Sequence, residues 1–201
     1  MKKYIVQRTQ EGQTVDWESV SPLLINEVAW NKAAEGIEAW AQLCYDSENL
    51  YVRLSAKEKD IIANRTEPLD YPNFDSCLEF FVSPMENDSR YFNFECNPNG
   101  LMYQGMGHSV SDLVRFIPLF PNIFPKVERM ELGWGVTYTI TKAYINLFFP
   151  DFAFTSGRVL RGNFYKCGDD CPVPHYYSWN PMTIETPCFH YPADFGELIL
   201  A

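Results

Sequence analysis

The fold is decided by residues 157–201, which read GRVLRGNFYKCGDDCPVPHYYSWNPMTIETPCFHYPADFGELILA. Two strand-like runs, 158–167 and 196–200, enclose a loop rich in proline, aromatic residues and histidine. Five prolines in this loop fix backbone φ angles and lower the entropic cost of an irregular path. Because loops held on a rigid scaffold often carry function, we expect this loop to keep one shape and to form part of a site.

Upstream of this stretch, apolar and polar residues alternate in several short runs bounded by turn residues, as in β-strands. The strand-like runs are residues 39–45, 50–56, 76–83, 90–96, 128–132 and 134–140, and a turn at 97–100 leads from 90–96 into a further run at 101–104. Short helices are expected in connections, at 21–25 after a Ser-Pro start and at 144–149, whereas 106–125 has no clear period. A chain of 201 residues suits one domain, so residues 1–201 are predicted to form a single all-β domain, an antiparallel β-sandwich.

Charge and apolar patterning restrict the class of partner. The net charge of −10 and the pI near 4.7 argue against nucleic acid and anionic membrane surfaces, and they suit a neutral partner such as a sugar. No apolar run approaches the ~20 residues of a transmembrane helix. The amino-terminal residues have no apolar core of a signal peptide, so the expected location is cytoplasmic, or secreted if a signal has been removed.

The six cysteines do not have the spacing of a disulfide framework. Cys77 and Cys96 lie inside strand-like runs, where a thiol usually acts as a small hydrophobic group. We therefore expect all six to be free, reduced thiols.

Several blocks of sequence resemble the family 9 carbohydrate-binding modules, and most closely a divergent, family 9-like branch. They are RGNFYKCGD (161–169), SWNP (178–181) and FHYPADFGEL (189–198), preceded by FDSCLEFFV (74–82) and by the hairpin ending in DSENLYV (46–52). The blocks occur in the family's order and span residues 39–200. The resemblance implies a β-sandwich that binds a saccharide and has no chemistry of its own.

The resemblance also implies where the ligand binds. The family's known module clamps a terminal sugar between two tryptophans, and the second of these positions is occupied here by Phe189, followed by His190. Near the first position the candidates are Tyr71 and Phe74. Glu79 matches the family's acidic binding residue. We predict that Glu79, Phe189 and His190 surround one cleft, with Tyr71 or Phe74 on the opposite wall.

Two further candidates have structural as well as binding interpretations. Trp179 is either a sugar platform near the cleft or a residue of the core. Arg161 is either a binding residue or the ion-pair partner of Glu79, since an unpaired buried carboxylate is costly. Phe74 and Phe189 could likewise be ordinary core or rim aromatics.

No catalytic residue, metal ligand or cofactor is predicted. Cys167, Cys171 and His175, with Cys188 and His190, are ligand types suited to zinc, but their spacing is loose. The resemblance implies structural calcium, yet the candidate aspartates form no ligand ladder; they are Asp46, Asp60, Asp169 and Asp170.

The predicted function is therefore non-catalytic recognition of a saccharide through aromatic stacking and a carboxylate. One alternative is an interaction domain that has lost sugar binding. A weaker alternative is a glycoside hydrolase that uses Glu79 with Glu95 as a carboxylate pair.

Overall fold

The computed structural model describes residues 1–117 and 120–201, which form fourteen β-strands, one α-helix and two short 3-10 turns. The strands are β1 Lys3–Arg8, β2 Leu23–Leu24, β3 Glu27–Val28, β4 Glu38–Tyr45, β5 Asn49–Lys57, β6 Cys77–Ser83, β7 Tyr91–Cys96, β8 Met102–Gly107, β9 Val114–Arg115, β10 Lys126–Met130, β11 Gly133–Thr141, β12 Val159–Gly168, β13 His175–Ser178 and β14 Gly196–Leu200. The helix α1 is Lys142–Asn146, and the 3-10 turns are Pro72–Phe74 and Pro192–Asp194. Part of the unassigned run 106–125, residues 118 and 119, lies outside the described residues.

The strands form one curled sheet whose two halves face each other as layers. Its main order is β10-β11-β5-β4-β1-β14-β12-β6-β7-β8-β9, with β2, β3 and β13 attached at the side. Strand β1 joins the halves, because residues 3–6 pair with β14 and residues 7–8 pair with β4. Among the described residues these two pairings are the parallel ones, and the other strand pairs are antiparallel. The predicted antiparallel β-sandwich is confirmed, with one parallel strand added.

A single core fills the space between the layers. Leu54 and Val136 from one half pack in the same cluster as Phe80, Phe164 and Leu198 from the other. A second, smaller cluster covers the opposite face of β6 and consists of Phe81, Tyr91, Tyr165 and Phe195. Strand β6 is therefore buried on both faces, and any polar side chain on it must be satisfied locally.

Most predicted elements are present. Strands β4 and β5 form the hairpin over residues 46–49, and β10 and β11 form the second predicted hairpin. Helix α1 begins two residues earlier than predicted, where the Thr141 hydroxyl accepts a hydrogen bond from the Tyr144 amide. The helix predicted at 21–25 is wrong, because Leu23 and Leu24 form strand β2 and pair with Ala41 and Trp40. Within the described residues no helix is long and apolar enough to cross a bilayer.

Three motifs of the carboxyl-terminal stretch meet in one hydrogen-bond cluster. The Asn163 amide nitrogen donates to the carbonyls of Asn180 and Asp194, at 3.0 and 3.2 Å, and its oxygen accepts from the Asn180 amide at 2.9 Å. The Asp194 carboxylate in turn accepts from the Thr183 amide and hydroxyl. Because these groups close both ends of the loop onto β12, the loop is held in a defined path, as predicted.

Candidate functional site

A row of four side chains on neighbouring strands lies under the site, and the two carboxyl groups at its centre form the floor. In the sheet register Tyr165 of β12 lies opposite Glu79 of β6, Glu79 lies opposite Glu95 of β7, and Glu95 lies opposite Tyr103 of β8. Since neighbouring strands are ~4.8 Å apart, the row from Tyr165 to Tyr103 spans roughly 14 Å along the curled sheet. Two carboxyl groups therefore lie side by side between two tyrosines.

A second aromatic ring covers each end of this row. Phe189 stacks on Tyr165 with ring centroids 4.1 Å apart and an interplanar angle of 18°. Tyr71 stacks on Tyr103 at 6.0 Å and 27°. Between them lies an open cavity of about 450 Å³, a volume typical of small-molecule sites. We call this cavity, with its row of four residues and its two stacked pairs, the cleft.

The loop that carries Phe189 and His190 is fixed to the sheet beneath it. The Tyr165 hydroxyl donates to the Phe189 carbonyl at 3.2 Å, and the Tyr91 hydroxyl lies 2.9 Å from Nδ1 of His190. The His190 ring also packs on Phe81, at 4.9 Å between centroids. Burial lowers the pKa of His190 to about 4, so the ring is neutral at pH 7 and can accept the Tyr91 proton.

The two floor carboxyl groups are nearly enclosed. Glu79 is 3% exposed and Glu95 is 7% exposed. Oε1 of Glu79 accepts a hydrogen bond from the Cys167 thiol at 3.0 Å, and Oε1 of Glu95 accepts one from the Asn93 amide at 2.9 Å. Loss of solvation raises the pKa of Glu79 well above its usual range and that of Glu95 to about 7. Near neutral pH the floor therefore retains protons that exposed glutamates would have lost.

Four of the seven sequence-predicted site residues line the cleft: Tyr71, Glu79, Phe189 and His190. Glu79 lies on the face of β6 opposite the core residues Leu78, Phe80 and Val82, as the alternation predicted. Phe74 lies next to Tyr71, with its ring edge-on at 6.5 Å, but it does not line the cavity and is 40% exposed.

The remaining two residues lie elsewhere and correct the prediction. Trp179 belongs to the core, where the centroid of its ring lies 5.9 Å from that of Phe164. Its ring also lies directly over Gly196, so that a Cβ atom at position 196 would come within 2.5 Å of the Trp179 ring. Arg161 borders a different cavity, and its guanidinium donates to the Phe195 carbonyl at 3.0 Å. Within the part of the chain that the structure describes, Arg161 makes no ion pair with Glu79. The structural interpretation of Trp179 is the one that fits its burial.

Several cleft residues were missed by sequence reasoning, namely Trp30, Tyr103, Asp169 and Tyr176. Trp30 reaches Phe189 at 5.1 Å, and its indole nitrogen donates to the Ile184 carbonyl at 2.9 Å. Its backbone has φ of 52° and that of Asn31 has φ of 57°, a left-handed conformation that asparagine tolerates but tryptophan rarely adopts. Tyr103 could have been found, because it lies in the run 101–104, which was predicted to pair with the run 90–96 across a turn.

The cysteine and histidine side chains considered for zinc do not converge on one point in the structure. His175 lies 2.8 Å from the buried amine of Lys166, and the Cys171 sulfur lies 3.8 Å from the Ser76 hydroxyl. In residues 1–117 and 120–201, the one group of three converging donors is Cys77, Glu79 and Cys167, which lacks the all-oxygen character that calcium prefers.

Three of the four loop aspartates considered for calcium accept hydrogen bonds within the chain. Asp46 accepts from its own hairpin turn, including the amides of Glu48 and Asn49, Asp169 accepts from Asn73, and Asp170 accepts from Arg65. These contacts do not test the structural calcium that the resemblance implies.

Together, the two-layer β fold and the aromatic cleft define a β-sandwich domain with an open cavity on one face of its sheet. The sequence profile of carbohydrate-binding family 9 matches residues 9–200, so the chain belongs to that family. No curated protein sequence matches the chain at a significant level.

Solved structures share the fold over the whole chain. One is a Bacteroides uniformis protein, provisionally assigned as carbohydrate-binding, with 25% identity, a TM-score of 0.84 and coverage of 100% of this chain and 99% of that one. Another is a family 9 carbohydrate-binding module from Caldicellulosiruptor kristjanssonii in complex with glucose, with 15% identity, a TM-score of 0.70 and coverage of 100% and 96%. A third is a family 9 module from the same organism in complex with cellotriose. It has 15% identity and a TM-score of 0.69, with coverage of 99% of this chain and 93% of that one.

Proposed function

We propose that the cleft binds a saccharide and that the domain does so without catalysing a reaction. The observation that carries this proposal is the row of two carboxyl groups flanked by the stacked pairs Phe189–Tyr165 and Tyr71–Tyr103. The C–H faces of a sugar ring pack well on aromatic rings, and its hydroxyls need polar groups at fixed positions, which the floor supplies. The family 9 module complexes with glucose and cellotriose support the same class of ligand.

The placement of the carboxyl groups favours binding over hydrolysis. A glycosidase needs two carboxyl groups that flank the scissile bond from different sides. Glu79 and Glu95 instead project from neighbouring strands on one face of the sheet. A sugar lying on this floor would have both groups beneath it, so we propose no hydrolytic role for them.

The expected affinity is weak. Phenylalanine and tyrosine offer smaller π-faces than tryptophan at the clamp positions, and we expect dissociation constants from millimolar to high micromolar, or roughly −4 to −7 kcal/mol. The anchoring of the Phe189–His190 loop to Tyr165 and Tyr91 reduces the entropy lost on binding.

The proposal is tested by calorimetric titration with glucose, cellobiose and cellotriose, preceded by a glycan array to choose further ligands. Phe189→Ala should weaken binding up to about tenfold, because an aromatic contact contributes ~0.5–1.5 kcal/mol beyond burial. Glu79→Gln should weaken it by a similar or smaller factor, since a neutral hydrogen bond contributes ~0.5–1.5 kcal/mol. Phe124→Ala is the matched control, because this ring is 79% exposed and outside the cleft.

If both cleft variants fold and bind like the parent, the cleft is not the site. If the folded parent binds nothing in a broad glycan screen, saccharide binding is rejected and the interaction-domain alternative replaces it.

A further inference from the structure

The described lining of the cleft contains acidic residues but no strongly basic ones. Three carboxyl groups face it, those of Glu79, Glu95 and Asp169, and no lysine or arginine is found among the described residues of its lining. Its one histidine, His190, is neutral at pH 7. A bound ligand therefore meets acidic groups and aromatic rings without any compensating cation from the protein.

Each floor carboxyl group also has an unused oxygen. Glu79 and Glu95 are more than nine-tenths buried, and within the described part of the chain each makes one hydrogen bond, through Oε1. The second oxygen of each accepts nothing from the described residues, although both side chains line the cavity. Burial without a full set of partners is costly for a carboxylate, so these two oxygens are open acceptors in a recessed site.

Other buried carboxylates in this molecule have a cation or several hydrogen-bond donors. Glu58 is 3% exposed and lies 3.2 Å from the amine of Lys166, and Asp75 is fully buried and lies 3.1 Å from the guanidinium of Arg65. Asp46 and Asp194 have no cation, but both oxygens of each accept hydrogen bonds. Within the described part of the chain, Glu79 and Glu95 have neither a cation nor more than one donor. This arrangement leaves a position where a ligand can supply the positive charge.

Arg115, whose charge acts on Glu95, is directed elsewhere. Its guanidinium lies 4.6 Å over the Tyr103 ring and donates to the carbonyls of Leu69 and Pro68. Its charge lowers the pKa of Glu95, but loss of solvation is the larger effect and the pKa still rises to about 7. No ion pair joins Arg115 to Glu95 among the residues described.

We propose that the preferred ligand is an amino sugar with a free ammonium group, whose nitrogen binds between Glu79 and Glu95 and holds Glu95 as a carboxylate. This inference rests on the saccharide-binding function proposed above and narrows its ligand class. An ammonium group has three donors for the open oxygens, and aromatic rings such as Trp30 and Tyr103 at the cleft also attract a cation through their π-faces. A uronic acid would instead bring a further acidic group to a cleft that already has three.

The test compares glucose, glucosamine and N-acetylglucosamine by calorimetric titration at pH 7. The protein is first treated with a chelator, since Cys77, Glu79 and Cys167 could otherwise hold a divalent metal ion. Glucosamine should bind about tenfold more tightly than glucose, a difference of ~1.4 kcal/mol, because a hydrogen bond to a charged group is stronger than a neutral one. N-acetylation removes the charge and should abolish the preference.

Two acid-to-amide variants locate the effect. Glu95→Gln should bring the glucosamine-to-glucose affinity ratio close to one, while Glu18→Gln, an exposed glutamate outside the cleft, should leave the ratio unchanged. If Glu95→Gln does not fold, the comparison of the three sugars on the parent protein decides the question.

Two outcomes overturn the inference in distinguishable ways. Equal or tighter binding of glucose rejects the amino-sugar preference and leaves saccharide binding intact. Failure of all three sugars, together with an empty glycan screen, rejects both proposals.

Discussion

Glu95→Gln is expected to change how the stability of the folded domain depends on pH. Burial raises the pKa of Glu95 from 4.5 to about 7, whereas the unfolded chain releases the proton near 4.5. Between these values the unfolded state loses its proton while the folded state retains it. The stability that Glu95 contributes is therefore complete below pH 4.5 and is lost as pH rises to about 7. Glutamine has a similar shape and no titrating proton, so the variant should not suffer this loss.

The size of the effect follows from the pKa difference. One pKa unit corresponds to 1.36 kcal/mol, so a rise from 4.5 to about 7 costs the parent at most about 3 kcal/mol at high pH. The side chain is only 7% exposed, so solvent screening reduces this figure little. The difference between variant and parent isolates the effect, because the other titrating groups are present in both proteins.

The assay is urea unfolding followed by tryptophan fluorescence at pH 5 and pH 8, for the parent, Glu95→Gln and the control Glu18→Gln. The unfolding free energy of Glu95→Gln, relative to the parent, should increase by about 2–3 kcal/mol between the two pH values. The Glu18→Gln difference should stay constant. A constant difference for Glu95→Gln as well would show that Glu95 is ionised at neutral pH in the folded protein, and the account of the cleft floor would be wrong.

Three further predictions concern stability and the thiols. Glu58→Gln should cost about 3–5 kcal/mol of unfolding free energy, because it leaves Lys166 buried without its anion. The double variant Glu58→Gln with Lys166→Met should cost less in the same urea assay. Equal costs of the single and double variants would contradict the ion pair. Because burial lowers the pKa of His190 to about 4, the stability that His190 contributes is lost as pH falls from 6.5 to 4, so the unfolding free energy of His190→Gln relative to the parent should rise over that interval; a constant difference would refute this. Thiol titration of unfolded, unreduced protein should find six free thiols, in agreement with the free cysteines of the structure, and three disulfides would contradict the expected reducing compartment.

Sequence reasoning predicted the strands whose residues alternate, because one buried face imposes a period of two on the chain. Strands β5, β6 and β7 are examples, and the orientation of Glu79 followed from the same pattern. A short apolar run has no such period. Leu23–Leu24 was read as a helix start, and its pairing with β4 made it a strand instead. Tertiary pairing of this kind is not encoded in the local sequence.

Sequence reasoning predicted the cleft residues that lie within family motifs. It missed the residues that reach the cleft only through the tertiary path of a loop. Phe189 and Glu79 lie within recognisable blocks. Trp30 enters the cleft through a left-handed backbone that no sequence pattern announces. Trp179 lies in the core because Gly196 leaves room for its ring, a contact between residues of different motifs. The cross-strand pairing of Glu79 with Glu95 required the sheet register.

The pairing of β1 with β14 determines when the domain can close during its synthesis. Lys3 and Glu197 are partners in the sheet, so about 190 residues must be made before the first strand finds the edge it joins. At a translation rate of ~5–20 residues per second this takes roughly 10–40 s. During that time residues 3–6 of β1 lack the strand with which they pair in the folded domain. The same late segment carries Phe189 and His190, so the nascent chain acquires this side of the cleft and its closed sheet together.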